Sequence, residues 1–272
     1  MGAKVFGIIS IKGGVGKTTT VASLGHILSK SFNKKVLIVD GNFSAPNLGL
    51  HFGLINPEIT LHHVLNGYSK YKDSIYTHNL GFDIIPANLL NKKVNPYKLK
   101  KIINRAKKDY DLIILDSSPN LNNEIMGVVE SSDFLFLITT PDYPTLSTTM
   151  QAVKVAKSSN IPIAGLILNK VRNKKYELSI NDIQNSTQTP VLASIRDDHK
   201  VLEALSKLVP ITQLYPNSDV SKEYKKIAGV LAGVKFNEKN FVSKVKDLLI
   251  RSVDKEELNR DILMSKLKEL RQ

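Results

Sequence analysis

The stretch Lys12-Gly-Gly-Val-Gly-Lys-Thr-Thr-Thr20 decides the fold of this chain. It follows an apolar, strand-like run from Val5 to Ile11 and opens a helical pattern from Val21 to Leu28. Its glycines let the backbone curl so that N–H groups face phosphate oxygens, and the positive end of the following helix favours the anion. Lys17 then neutralises the β- and γ-phosphates of a nucleotide, and the Thr18 hydroxyl can ligate Mg²⁺. The stretch therefore predicts a phosphate-binding loop whose nucleotide contacts are Gly13, Gly14, Val15, Gly16, Lys17, Thr18 and Thr19.

Short apolar runs alternate with longer periodic stretches over the rest of the chain. We expect helices near residues 97–108, 145–158, 198–208 and 218–232, with buried strands between them. This alternation predicts an α/β fold with a doubly wound, mainly parallel sheet flanked by helices. The strands predicted after the first are Val36–Asp40, Phe82–Pro86, Leu112–Asp116, Phe134–Ile138, Ile163–Leu168 and Val191–Ile195.

Three polar residues lie at the ends of predicted strands, where sheets of this kind bind their ligands. Asp40 and Asp116 each close an aliphatic strand, and Asn169 directly follows another. Asp116 is placed as a carboxylate that holds Mg²⁺, usually through water, although such an aspartate is often only the cap of the next helix. Together with the loop, these positions predict a nucleotide site at one edge of the sheet.

The composition limits the chemistry that the chain can perform. Its 272 residues, of which 42% are hydrophobic, suit one large domain over residues 1–235 with a C-terminal helical extension over residues 236–272. The absence of cysteine excludes disulfides, thiolate zinc sites and cysteine-ligated iron–sulfur clusters. The six histidines show no zinc-ligand spacing and are interpreted as structural. No apolar run approaches the length of a membrane span, so we expect a cytoplasmic protein.

The net charge of +13 is large for a chain of this size. It could serve DNA phosphates, an anionic lipid surface or solubility alone. The densest basic stretch runs from Lys98 to Lys108 and carries apolar residues at helical spacing. We therefore interpret its lysines as the solvent-exposed face of an amphipathic helix.

The phosphate-binding loop departs from the general pattern G-x-x-x-x-G-K-[ST] in an informative way. The general pattern has glycine at the position of Ile11, and this chain adds a second lysine, Lys12, just inside the loop. This loop resembles the deviant Walker A loop of the MinD/ParA class of P-loop ATPases. The resemblance implies ATP and Mg²⁺ as cofactors, and an ATP-dependent homodimer in which Lys12 reaches across to the other subunit's nucleotide. It also places Asp40 in the first switch segment, so that the implied metal residues are Thr18, Asp40 and Asp116.

The segment after the first switch indicates a branch of that family. Asn47-Leu-Gly-Leu50 is more similar to the Asn-Leu-x-Leu of MinD proteins than to the Asp-Pro-Gln that often marks ParA proteins. The chain therefore most resembles an archaeal-type MinD-like protein. The resemblance implies a dimerisation switch that positions a division or assembly machine, with hydrolysis resetting the switch and an unidentified protein as partner.

The first switch carries the most consequential departure from the family pattern. MinD and ParA proteins commonly have Asp-x-Asp there, whereas this chain has Asp40-Gly-Asn42. Asparagine accepts a hydrogen bond from water but cannot take its proton, and general-base help is typically worth about 10²–10⁴-fold. Because positioning and charge carry much of phosphoryl transfer, we expect slow hydrolysis rather than none. The predicted catalytic residues are Lys12, Lys17, Asp40 and Asn42.

Two further segments match the family incompletely. The second switch often reads Asp-x-Pro-Ala-Gly, whereas Asp116-Ser-Ser-Pro-Asn120 has its proline one place late and lacks the glycine. Asn169 resembles the family position whose side-chain amide reads the adenine edge, and an ordinary turn asparagine is the alternative. We predict Asn169 as the eighth nucleotide contact.

The extension beyond Val234 contains two amphipathic patterns. Phe241 to Ser252 is compatible with an interfacial membrane helix, and Leu258 to Leu270 carries mixed charges that suit packing against protein. Three function classes therefore stay open: a positioning ATPase at the inner face of the cell membrane, a DNA-partitioning ATPase, and a soluble nucleotide-gated adaptor. DNA is the less favoured surface, and a metabolic kinase is a weaker fourth class.

Overall fold

The computed structural model describes residues 2–88, 93–234 and 255–270, in which strands and helices alternate. The strands are β1 (Lys4–Ile9), β2 (Val36–Gly41), β3 (Tyr76–Thr77), β4 (Asp83–Ile85), β5 (Leu112–Ser117), β6 (Phe134–Thr139), β7 (Ile163–Val171) and β8 (Val191–Arg196). The helices are α1 (Lys17–Lys30), α2 (Leu61–Leu65), α3 (Leu99–Ala106), α4 (Asn123–Ser131), α5 (Tyr143–Ser158), α6 (Ile180–Thr187), α7 (His199–Ser206), α8 (Ile211–Leu214), α9 (Asp219–Ala232) and the C-terminal helix (Lys255–Glu269). Short 3₁₀ segments cover Gly49–Phe52, Tyr71–Ser74 and Pro96–Lys98.

Eight strands of the described residues form a single sheet in the order β3-β4-β2-β5-β1-β6-β7-β8. Hydrogen-bonded neighbours are parallel except for β3 and β4, which are antiparallel. In register, Asp116 of β5 lies opposite both Asp40 of β2 and Ile8 of β1. The parallel register therefore places the two aspartates side by side at the C-terminal edge of the sheet, and the predicted fold class is confirmed.

Helices cover both faces of the sheet and bury an apolar core on each. Leu24 of α1 and Ile227 of α9 belong to one core, and Ile103 of α3 and Val128 of α4 belong to the other. Helix α3 has the amphipathic character predicted for the basic stretch, because its apolar residues face the core and its lysines face solvent. The buried residues of α3 are Leu99, Ile102, Ile103 and Ala106.

The C-terminal helix packs onto the body of the protein at the N-terminal edge of the sheet. Leu263 and Leu267 are 6% and 3% exposed and join the core on the α1 face. Lys4, the first residue of β1, donates a hydrogen bond from Nζ to the Leu267 carbonyl at 2.8 Å. This helix corresponds to the second amphipathic pattern of the extension, whereas the pattern from Phe241 to Ser252 lies outside the described residues.

Two side chains of the C-terminal helix bind the backbone of β8, which is an edge strand of the sheet. Asn259 donates from Nδ2 to the Val191 carbonyl at 2.8 Å, and the Arg260 guanidinium donates to the Leu192 carbonyl at 2.6 Å. The helix is thus held by polar contacts as well as by burial. Across the described parts of the chain, no helix combines the length and the apolar character that crossing a membrane requires.

Candidate nucleotide-binding site

The loop between β1 and α1 has the backbone geometry of a phosphate cradle. Gly14 and Gly16 have positive φ angles of 73° and 101°, a region that side chains with a Cβ rarely adopt. The Asn169 side chain lies directly against Gly16, where an added Cβ would collide with it. Asn169 also donates from Nδ2 to the Val15 carbonyl at 2.7 Å. Position 16 therefore requires glycine, and Asn169 is attached to the loop itself; its role in reading adenine stays a prediction.

Lys17 begins α1 and turns its ammonium group back into the loop. Its Nζ lies 3.4 Å from the Lys12 carbonyl oxygen, and the residue is 7% exposed. Burial lowers the pKa of Lys17, and the nearby Asp116 carboxylate partly offsets this effect. A buried cation at the start of a helix favours a bound anion such as a phosphate group.

Thr18 joins the loop to the end of β5. Its hydroxyl oxygen lies 2.6 Å from Asp116 Oδ2 and 3.0 Å from Asn47 Oδ1. Asp116 is fully buried, and its Oδ1 accepts no hydrogen bond from the described residues. A buried carboxylate oxygen without a donor costs free energy unless a ligand, a metal ion or water completes the site.

Asp40 is the second buried carboxylate of the site. It accepts hydrogen bonds from the backbone N–H groups of Asn42 and Leu48, each at 3.0 Å. Burial and the neighbouring Asp116 raise the pKa of Asp40, and burial also raises the pKa of Asp116 despite Thr18 and Lys17. A nearby cation would favour the charged form of both groups.

The donor set fits Mg²⁺ held together with phosphate and water. No cluster of three or more His, Cys, Asp or Glu side chains with metal-ligand spacing occurs in the described part of the chain. Mg²⁺ commonly takes only one or two protein oxygens and completes its coordination with phosphates and water. The Thr18 hydroxyl and the unsatisfied oxygen of Asp116 supply such a pair, with Asp40 beside them.

Asn42 stabilises the turn of the first switch segment with both ends of its amide. Its Nδ2 donates to the Ala45 carbonyl at 2.5 Å, and its Oδ1 accepts from the Ala45 N–H at 3.3 Å. An aspartate could accept the second of these bonds but could not donate the first. In this conformation Asn42 therefore shapes the loop, a role that the sequence interpretation did not consider.

Lys12 points away from the loop that carries it. Its Nζ lies 2.6 Å from Thr145 Oγ1 and 3.2 Å from Asp142 Oδ1 at the start of α5. Burial acts against the charge on Asp142, but hydrogen bonds from Thr140, Thr145 and Lys12 hold its pKa below the usual range. The side chains of Lys12 and Asp142 are 40% and 42% exposed, so the ion pair lies at the surface.

The second switch segment compensates for its missing glycine. Asn120 adopts a positive φ of 77°, which asparagine tolerates better than most residues, and donates its N–H to the Ile11 carbonyl at 2.9 Å. Two residues into the following helix, Glu124 accepts hydrogen bonds from the backbone N–H groups of Phe43 and Ser44 at 3.1 and 3.2 Å. Glu124 thus links the first switch segment to the helix that follows the second.

Comparison with known proteins shows the family. The model of the CobQ/CobB/MinD/ParA nucleotide binding domain matches residues 6–211. The chain belongs to this family. A relative described as an uncharacterized ATP-binding protein of Methanocaldococcus jannaschii is 32% identical, over 90% of this chain and 98% of the relative.

Two solved structures of MinD proteins share the architecture. The cell division ATPase MinD of Pyrococcus furiosus is 31% identical with a TM-score of 0.79, covering 84% of this chain and 97% of its own. The septum site-determining protein MinD of Pyrococcus horikoshii, solved as a complex with Mg-ADP, is 30% identical with a TM-score of 0.79, covering 92% of this chain and 100% of its own. The expected resemblance to archaeal MinD-like proteins is thereby confirmed.

The structure gathers the predicted residues around one loop and adds others that the sequence interpretation missed. Lys17, Thr18, Asp40, Asp116 and Asn169 converge on the loop through the contacts described above. The three additions are Asn47, which contacts Thr18; Asp142, which contacts Lys12; and Glu124, which holds the first switch. Asn47 lies in the segment that indicates the family branch, so its signal was present in the sequence but its contact with Thr18 was not interpreted.

Proposed function

We propose that the protein is a MinD-like ATPase that dimerises when it binds Mg–ATP and positions a division or assembly machine. The single observation that carries the proposal is the different placement of two lysines from one loop. Lys17 is buried in its own phosphate cradle, whereas Lys12 is held at the surface on the start of α5. One loop thus has a cation for its own nucleotide and a second cation available to another molecule.

The contacts of Lys12 are weak enough to be exchanged. An ion pair between partly exposed side chains contributes about 0–1 kcal/mol, because solvent screens it. A triphosphate carries several negative charges and can compete with a single carboxylate for the ammonium group. We infer that Lys12 leaves Asp142 when a second subunit presents its nucleotide, so that dimerisation depends on ATP.

The chain's own residues account for the proposed chemistry. The loop N–H groups and Lys17 hold the phosphates, and Thr18 with Asp116 would hold Mg²⁺, with Asp40 beside the water shell. Bound Mg²⁺ would neutralise charge on the phosphate oxygens. Asn42 can position water but cannot accept its proton, which supports slow hydrolysis.

Replacement of Lys12 by alanine tests the proposal. We expect Lys12→Ala to abolish ATP-induced dimerisation in analytical ultracentrifugation while nucleotide still binds the monomer, because Lys17 and the cradle remain. Lys174→Ala, which removes an exposed lysine outside the loop, is the matched control and should dimerise normally. Normal dimerisation of Lys12→Ala, or an ATP-bound monomer that phosphorylates a small acceptor, would contradict the proposal.

The packing of the C-terminal helix bears on the surface at which the protein acts. We place it in the cytoplasm, with attachment to the inner face of the membrane through residues 236–272 as one option beside a soluble adaptor or DNA binding. Leu263 and Leu267 of the extension are buried in the core, so the C-terminal helix would have to detach before those residues could enter a lipid surface. The observed packing supports attachment of that helix to the protein itself.

A further inference from the structure

Among the described residues, three surface cavities that border α3 differ in what lines them. The largest, about 850 Å³, mixes lysines with Glu130, Asp133 and Glu269. The second, about 560 Å³, is lined by polar and basic side chains and Tyr97. The third lies between α3 and the segment from α2 to residue 72, has a volume of about 550 Å³, and is called the α2–α3 groove below.

The α2–α3 groove combines an apolar floor with a basic rim. The side chains of Val64, Leu65 and Ile102 form the apolar part, and none of the described residues that line the groove is a carboxylate. Its volume lies within the range of about 300–1,000 Å³ that is usual for ligand pockets. Its basic residues are Lys70, Lys72, Lys98, Lys101 and Arg105.

Of the five rim cations, Lys72 is the one with a carboxylate partner among the described residues. Lys101 and Arg105 are exposed and lie four residues apart on α3, so they project from the same side of the helix. Lys98 and Lys72 are partly engaged, since Lys98 Nζ lies 3.2 Å from the Leu65 carbonyl and Lys72 Nζ lies 3.7 Å from Asp109. The rim therefore carries positive charge that the protein itself does not neutralise.

We propose that the α2–α3 groove binds an acidic segment of a protein partner. An apolar side chain of that segment occupies the floor, and its carboxylates pair with Lys101 and Arg105, whose guanidinium fork suits a carboxylate. Tyr68, which is 74% exposed between two residues that line the groove, offers an aromatic side chain of the kind enriched at interfaces.

The basic rim and the apolar floor of the α2–α3 groove together favour an acidic protein segment over other polyanions. A nucleic-acid backbone offers phosphates but no apolar group for the floor. An interfacial lipid-binding helix needs an apolar face directed outward. The apolar face of α3 is instead buried in the core through Leu99 and Ile103.

Binding of a labelled peptide tests the proposal on the full chain. The probe is a synthetic peptide of repeated Glu-Glu-Leu-Glu units, measured by fluorescence anisotropy. A second peptide with serine in place of leucine keeps the charge and lacks the apolar anchor. We expect the leucine peptide to bind at least about tenfold more tightly than the serine peptide, which corresponds to about 1.4 kcal/mol.

Paired charge reversals in α3 and just after it locate the site. The double variant Lys101→Glu, Arg105→Glu alters the groove, and the matched control Lys100→Glu, Lys108→Glu makes the same charge change at two lysines that line the neighbouring cavity but not the groove. We expect the groove variant to weaken the leucine peptide at least about tenfold and the control to change it less than about threefold. Circular dichroism checks that both variants fold.

Several outcomes would overturn the proposal. Equal weakening by the two double variants would mean that the peptide senses only the general field of the protein. Equal binding of the leucine and serine peptides would remove the role of the floor. Duplex DNA or phosphatidylserine vesicles that bind more tightly than the peptide, and lose binding only in the groove variant, would assign the groove to those classes instead.

Discussion

Aspartates lie at both the C-terminal and the N-terminal edge of the sheet, but their carboxylates have different partners at the two edges. At the C-terminal edge, Asp40 and Asp116 are buried side by side with raised pKa values, and one carboxylate oxygen has no donor in the described structure. At the N-terminal edge, Asp133 accepts from the Val5 N–H at 2.9 Å and pairs with Lys107 at 2.6 Å. At the C-terminal edge, a carboxylate oxygen therefore lacks a partner among the described residues, and a ligand could supply one. At the N-terminal edge, the partners of Asp133 lie within the chain itself.

The same substitution at each edge should give the largest contrast. Asp116→Asn removes the carboxylate proposed to hold Mg²⁺, and we expect steady-state ATP hydrolysis to fall by about a thousandfold, or about 4 kcal/mol. Asp133→Asn is the matched control and should leave hydrolysis within about twofold while lowering the free energy of unfolding by about 1–3 kcal/mol. Similar losses of hydrolysis in both variants would break the comparison.

Truncation of a buried side chain at the N-terminal edge should lower the free energy of unfolding without changing nucleotide binding. Leu267→Ala removes a side chain that is 3% exposed, so we expect the free energy of unfolding to fall by about 3 kcal/mol in urea denaturation. Leu270→Ala, at a position 61% exposed, should change it by less than about 0.5 kcal/mol. Nucleotide affinity should stay unchanged in both. An unaltered midpoint and slope for Leu267→Ala would show that the C-terminal helix is not part of the body.

Asn42→Asp should separate the two roles of Asn42 at the C-terminal edge, in hydrolysis and in the shape of the first switch segment. The variant restores a group that can accept a proton from water, and it loses the hydrogen bond that Asn42 donates to Ala45. We expect ATP turnover to rise by about tenfold and the lifetime of the ATP-bound dimer to shorten. Asn42→Ala, which loses the Ala45 contacts without adding a carboxylate, should not raise turnover. Unchanged turnover and dimer lifetime in Asn42→Asp would contradict slow hydrolysis by this cause.

The sequence predicted the sheet well because its signals are local. Strands such as Leu112–Ser117 begin with continuous aliphatic runs, and the glycine loop fixes where the first strand gives way to a helix. The two-residue strand β3 was missed because it has no periodicity and depends on pairing with β4. Helix α4 was also missed, although Asn122 caps it by accepting from the N–H groups of Glu124 and Ile125, a signal that the sequence shows.

Site residues that belong to a sequence motif could be predicted. Site residues that depend on contacts between distant segments of the chain could not. Lys17, Thr18 and Asp116 stand in patterns whose spacing reflects phosphate and metal binding. Glu124 lies about 80 residues from the segment that it binds, and only the folded chain brings the two together. The contacts of Asn42 with Ala45 are local, but an amide in place of a carboxylate directed the interpretation to catalysis rather than to loop shape.

The C-terminal helix contacts β8 at an edge of the sheet, where molecules can associate by pairing their strands. An edge strand presents backbone groups that can recruit a strand from another molecule, and proteins often cover such an edge with a helix. Here Asn259 and Arg260 occupy carbonyl groups of β8, while the strand at the opposite edge, β3, is only two residues long. The helix therefore obstructs strand pairing between copies at the start of β8, which is consistent with the proposed pairing through the nucleotide face.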